Sequence, residues 1–234
     1  MEPPYRILDR ALAPVAGFSR RARESPSLGE AVTGMLVLRI PTALAGLALG
    51  YAALAHAWTG AARLQGPFWD ELLARLPEGM DPGDLRAALA SLPPPPDWTR
   101  VLPWLALLAP VAVLGLWLHD AAWDHLGLWL VRGTTPRQPL RATLVAEAEA
   151  LKVGTLGALA GLAAQLPGTG AALTVLALAA AAYFWILRGH ALSAWHGCPP
   201  WKGVLATLLH AAFILVLGLG TLFLLAVLLL QVQS

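Results

Sequence analysis

Residues 101–118 and 204–230 are almost wholly apolar, and residues 169–187 carry no charge. A helix needs ~20 apolar residues to cross the ~30 Å hydrocarbon core of a bilayer, and these blocks have that length. No water in that core can satisfy backbone N–H and C=O groups, so a spanning segment is either a helix or one strand of a closed barrel. The blocks lack a period of two and run far past the ~10 residues of a barrel strand. Helices remain. Charged residues make up only 13% of the 234, against about 25% in soluble domains, so a soluble fold of this size could not hide the apolar surface.

The expected architecture is an all-α integral membrane protein with five spans, near 31–58, 101–119, 142–166, 170–188 and 203–230. Residues 31–230 then form one membrane domain. Residues 1–30 form a cytoplasmic amphipathic segment, and 59–100 an outer loop with two short helices. One is Phe68–Leu76. The other opens at Asp81-Pro82, a capping residue followed by proline at the first helical position, and stops at Pro93–Pro96. Ser27 and Glu30 have capping-box spacing and start the first span, in which Pro41 is expected to place a kink. Gly46 with Gly50, and Gly157 with Gly161, permit close helix contact, inside one chain or in a homo-oligomer. Trp69 and Trp98 suit the membrane interface.

Orientation follows from the basic residues. Five arginines precede residue 30, and Arg132, Arg137, Arg141, Arg188 and Lys202 flank the second and fourth loops, ten in all. The loop at 59–100 has four, Arg63, Arg75, Arg86 and Arg100, with six acidic residues. The positive-inside rule places the N-terminus in the cytoplasm and the C-terminus outside. Residues 3–24 read as an in-plane helix broken near Pro14. Tyr5, Leu8, Leu12, Val15 and Phe18 share a face, and Arg6, Arg10, Arg20, Arg21 and Arg23 are placed to meet anionic membrane lipids.

In this orientation the near-membrane charges gather on the cytoplasmic side. Asp120 and Asp124 lie one turn apart at the end of span two. Glu147, Glu149 and Lys152 lie in the first turns of span three, and Arg188 ends span four. Charges inside a bundle are costly unless paired, and they often mark a pathway or a site. These six residues are the candidate polar cleft; plain structural pairing is the other reading. His119, Asp120, Asp124 and His125 carry donors suited to zinc or manganese. His119 and His125, six apart, point to different sides, and neither Glu-x-x-His nor HExxH is present. No metal and no cofactor is expected.

No catalytic set emerges either. Glu147 and Glu149 lack matched histidines on other spans, His210 being the one buried candidate, and Ser193 has no arranged base. The chain is expected not to be an enzyme. A formal charge of +2 with no long basic run gives no reason to expect nucleic acid. Cys198 is the single cysteine, so no intrachain disulfide forms; its place at a membrane edge admits acylation.

Three segments resemble the Yip1 domain family of five-span membrane proteins. Phe18 and Ser25-Pro26-Ser27 before span one are similar to its entry segment. The run from His125 to Gly133, followed by Thr143, is similar to its helix-to-turn segment. The run from Arg188 through Ser193 to Trp195, then Lys202-Gly203-Val204, is similar to its link between spans four and five. Members often carry a tyrosine and then a proline in span three, where this chain has Ala146-Glu-Ala-Glu-Ala-Leu-Lys-Val153. The resemblance implies a non-enzymatic scaffold or adaptor in membrane organisation or trafficking, with an unidentified protein partner. With the Ala-, Leu-, Gly- and Arg-rich composition, it implies a bacterial cytoplasmic (inner) membrane. A function of a different class, movement of a lipid or small solute through the charged cleft, is the alternative.

Overall fold

The computed structural model describes residues 3–62, 93–134, 137–166 and 169–232, with residues 81, 83, 84, 87 and 91 between the first two stretches. Among these residues it is all-helical. The long elements are α1 (Pro4–Leu12), α2 (Pro14–Arg23), α3 (Leu28–Ala62), α4 (Trp98–Leu130), α5 (Pro139–Ala164), α6 (Ala171–His196) and α7 (Pro200–Val232). The expected loop helix Phe68–Leu76, with Trp69, lies outside the described residues. Asp81, expected to open the second loop helix, accepts the Gly83 N–H on Oδ1 at 2.7 Å, as a capping residue does; most of that expected helix lies outside the described residues.

Four helices are long and apolar enough to cross a membrane: Leu28–Thr59, Trp98–Leu130, Ala171–His196 and Pro200–Leu225. They correspond to the expected first, second, fourth and fifth spans. The expected third span coincides with α5, which differs in carrying Glu147, Glu149 and Lys152. The outward faces are those of a chain dissolved in lipid: Leu178, Leu215, Val216 and Phe223 are all exposed.

Local chemistry sets the helix ends. The chain breaks at Ala13, and Pro14 opens α2 at a position where a missing N–H does no harm. Ser27 Oγ accepts the Glu30 N–H at 3.1 Å at the start of α3. Gly197, at φ 64°, ends α6 in the left-handed conformation. That turn brings the Cys198 N–H to the Ser193 carbonyl at 3.2 Å, satisfying a carbonyl the helix leaves open.

The chain forms two compact units, Met1–Thr42 with Val111–Ser234, and Ala43–Pro110. Both boundaries fall beside a proline inside a continuous helix, Pro41 in α3 and Pro110 in α4. Each proline removes an N–H and crowds the preceding turn. In the smaller unit the Pro93–Pro96 run is held along α3. The Tyr51 hydroxyl donates to the Pro96 carbonyl, Trp58 Nε1 donates to the Pro93 carbonyl at 3.0 Å, and the Tyr51 and Trp98 rings meet edge-on at 4.7 Å.

In the larger unit α5 packs on α6, α6 on α7, α2 on α6 and α1 on α5. Ile7, Phe18, Leu128, Leu187 and Leu192 meet small residues such as Ala146, Ala150, Ala191 and Ala206 in one core. Lipid tails are as apolar as leucine, so spans associate through close van der Waals fit. A Cβ on Gly189 would stand 2.5 Å from Val204 Cα, and one on Gly127 2.7 Å from the Ala206 carbonyl oxygen. These glycines make the tight crossings. A Cβ on Gly50 or Gly161, from the two expected Gly-x-x-x-Gly steps, would meet nothing within 4 Å. Gly189→Val is therefore expected to destabilise by about 1–3 kcal/mol through overpacking. Gly161→Val should leave the melting temperature in detergent within a degree or two.

Candidate functional site

Glu147 and Glu149 are two residues apart on α5. At 3.6 residues per turn they point about 200° away from one another. Ala146, Ala148 and Ala150 between and beside them are fully buried, so neighbouring helices approach the α5 backbone closely and both carboxylates end up inside. Each becomes the centre of a separate charge network.

The first network is built on Arg188 of α6. Its Nη2 donates to Asp124 Oδ2 at 2.7 Å and its Nε to Glu147 Oε2 at 3.1 Å. Nη1 lies 3.4 Å from Asp120 Oδ2. Asp124 Oδ1 pairs with His210 Nδ1 of α7 at 2.7 Å. Four helices, α4 to α7, thus meet at one guanidinium. Asp120, Asp124, Glu147, Arg188 and His210 are all buried. The guanidinium carbon also sits 4.8 Å from the centroid of the Trp185 ring, a cation–π contact that matters more in a dry site.

The second network is built on Glu149. Its Oε1 accepts from Lys152 Nζ at 2.6 Å and from Arg21 Nη2 at 3.1 Å. Its Oε2 lies 3.6 Å from Arg10 Nη2. Arg21 continues outward to Glu30 at 2.6 Å and to Glu24 at 2.8 Å. Burial works against the Arg21 charge, but Glu30, Glu24 and Glu149 outweigh it and hold the guanidinium above its ordinary pKa. The Tyr183 hydroxyl on α6 donates to the Ala11 carbonyl at 2.9 Å, a further tie to the N-terminal helices.

The six residues of the expected cleft are all placed in the interior, but in two groups rather than one. Asp120, Asp124, Glu147 and Arg188 join, while Glu149 and Lys152 face α1 and α2. Arg10 and Arg21, expected at lipid headgroups, are buried against Glu149. Arg6, Arg20 and Arg23 remain outside, and Arg6 and Arg20 pair with Glu24 and Asp9. Of the expected apolar face, Phe18 turns inward while Tyr5, Leu8, Leu12 and Val15 stay exposed. His125, His196 and Thr143 meet as well, with Thr143 Oγ1 2.9 Å from a nitrogen of each ring. Ser193 Oγ donates to the Gly189 carbonyl at 2.8 Å, a helix-internal contact. Cys198 is half-buried, and burial pushes its thiol pKa up.

Beside Lys152 lies a cavity of about 990 Å³ bounded by α1, α2, α3 and α5. Its lining changes in step along two helices. On α3 it runs from Glu30 through Thr33 to Val37 and Leu38; on α5 it runs from Lys152 through Thr155 to Leu156 and Leu159. Arg6 and Arg21 join the charged part. The sequence offered one signal for this, a heptad-like spacing of polar and then apolar residues near the start of α3 and in the middle of α5.

No family model matches the chain, and no curated protein or solved structure matches it. Four apolar helices of spanning length around buried ion pairs define an integral membrane protein.

Proposed function

We propose that the chain is a non-catalytic, five-span membrane scaffold of Yip1 type, built around a cavity that holds an anionic lipid. The N-terminus lies in the cytoplasm and the C-terminus outside, in a bacterial cytoplasmic membrane. α5 is the third span and brings the number to five. Its charges turn inward to partners, and a charge in a bilayer is tolerated when it faces the bundle and is paired.

The observation that carries the lipid reading is the order of the cavity lining. In this topology α3 and α5 both enter from the cytoplasm. Going inward, each presents first charge, then a threonine hydroxyl, then leucine or valine, over a rise of about 10 Å. A phospholipid of the inner leaflet has the same order of headgroup, ester and acyl chain. Three cations and one carboxylate line the polar part, which favours an anionic headgroup. The volume is at the upper end of the ~300–1,000 Å³ of ligand sites.

The paired state of Asp120, Asp124, Glu147 and Arg188 weighs against the cleft as a transport route. The exposed row Tyr5, Leu8, Leu12 and Val15 supports a docking role for the N-terminal helices, at the bilayer surface or on a protein partner.

The test fills the cavity. Leu156→Trp with Thr33→Leu, purified in mild detergent, is expected to keep its melting temperature and to lose at least tenfold of the phosphatidylglycerol or phosphatidate that the unaltered chain retains. Equal retention by both proteins, or no retained lipid in either, would overturn the reading.

A further inference from the structure

At the edge of the Arg188 network two of its members, Asp120 and His210, converge with His119. His119 and Asp120 of α4 and His210 of α7 each offer one donor atom, and the three atoms lie within 4.8 Å of one another. His119 is half-exposed; Asp120 and His210 are buried. We infer that His119, Asp120 and His210 form a site for a divalent transition-metal ion of the zinc class.

Three independent observations bear on it. The first is the state of the His210 ring. Its Nδ1 is held by Asp124 Oδ1 at 2.7 Å, and its Nε2 is fully buried with no hydrogen-bond partner among the described residues. A buried imidazole nitrogen left unpaired loses the stabilisation of a hydrogen bond. A carboxylate on one ring nitrogen with a lone pair free on the other is the usual support of a metal-binding histidine, because it fixes the tautomer and raises the basicity of the ligand. The second is the division of labour on Asp120: Oδ2 faces Arg188 at 3.4 Å, while Oδ1 lies 3.3 Å from His119 Nδ1. One oxygen is committed to the guanidinium and the other points to the histidines.

The third is charge. Asp120, Asp124 and Glu147 face one guanidinium, Arg188, an excess of two acidic groups. Arg39, near enough to Asp120 to feel its charge, reduces the excess to one. In a site of low dielectric an unbalanced charge is expensive, and a bound cation offsets it.

The ligand set fits the class. Two imidazoles and one carboxylate suit zinc and its neighbours, and three protein ligands leave a fourth position open to water. Metal–ligand bonds of ~2.0–2.2 Å require the three donors to draw closer than 4.8 Å. His119 is the member free to move, because it is on the open side. His210 is packed in place, with the Trp123 ring stacked on it at 6.1 Å and the Trp185 ring edge-on at 5.2 Å, and Asp120 is tied to Arg188.

The experiment uses the full-length chain in detergent, without a polyhistidine tag, stripped with chelator and titrated with Co²⁺ as a visible probe and with Zn²⁺ by calorimetry. The expected result is one ion per chain with a tetrahedral Co²⁺ spectrum. His119→Ala, whose side chain is half-exposed and so dispensable for folding, should weaken binding at least tenfold. Asp124→Asn should weaken it ~10–100-fold, as loss of an outer-shell partner does. Binding of less than 0.2 ion per chain, or a stoichiometric site that His119→Ala leaves unchanged, would overturn the assignment. Lipid retention by His119→Ala should be normal, which separates this site from the cavity.

Discussion

Arg188→Met is expected to prevent the larger unit from folding. The substitution keeps much of the volume but strands Asp120, Asp124 and Glu147 in the interior with no guanidinium between them. Removing one partner of a buried ion pair is destabilising by about 3–5 kcal/mol, and here one residue serves three carboxylates. Total stabilities run to about 5–15 kcal/mol, so the loss is a large share of the whole. The cause is the unpaired charge rather than the missing contact. Adding Asp124→Asn and Glu147→Gln to Arg188→Met should therefore recover most of the folded yield and melting temperature in detergent. Were the residues a wet transport path, water would screen the stranded carboxylates and Arg188→Met would fold and melt normally. That result would remove the structural account of the network.

Glu149→Gln is the second large effect, and it acts at a distance. Arg10, Arg21 and Lys152 share that one carboxylate inside the protein. Without it the three lose the buried carboxylate between them, while Arg21 keeps Glu24 and Glu30; the loss is again a matter of about 3–5 kcal/mol. The cheapest relief is for α1 and α2 to swing out into water, since they are joined to α3 by only a short connection. The expected outcome is a folded bundle with a loosened N-terminus. Trypsin should cut at Arg10 and Arg21 at least tenfold faster than in the unaltered chain, and the C-terminal fragment should stay intact. Equal cutting rates would mean that Phe18, Ile7 and the Tyr183 hydroxyl hold the helices without the ion cluster. Removal of residues 1–24 has the mirror consequence: it leaves Glu149 with Lys152 alone, so such a truncation tests packing as much as partner binding.

Which parts of this were legible beforehand depended on sequence distance. The helices followed from apolar runs and caps, and Ser27, Pro14 and Asp81 act as their local chemistry says. The division of Glu147 from Glu149 was also legible, because residues two apart on a helix face different sides; reading them as one cleft overlooked that rotation. Their partners were not legible. Arg21 reaches Glu149 across 128 positions, and His210 reaches Asp124 across 86. Nothing local to an arginine in an amphipathic segment distinguishes one that meets lipid from one that turns inward. The tight glycines posed the same difficulty. Neither Gly189 nor Gly127 has a glycine four residues on, whereas the Gly-x-x-x-Gly steps are open at Gly50 and Gly161. Close approach is decided by which helix lies opposite, and one helix's spacing does not carry that.

All of this turns on whether α5 crosses the membrane despite Glu147, Glu149 and Lys152. A reporter fused to the C-terminus decides it. With α3, α4, α5, α6 and α7 all crossing and the N-terminus inside, the C-terminus is outside: alkaline phosphatase fused there should be active and a green fluorescent protein dark. If α5 stays in the cytoplasm, only the four helices of plainly spanning character cross and the C-terminus returns inside. A bright fluorescent fusion with inactive phosphatase would then contradict both the five-span topology and the inward pairing of Glu147, Glu149 and Lys152 as the reason α5 can enter lipid.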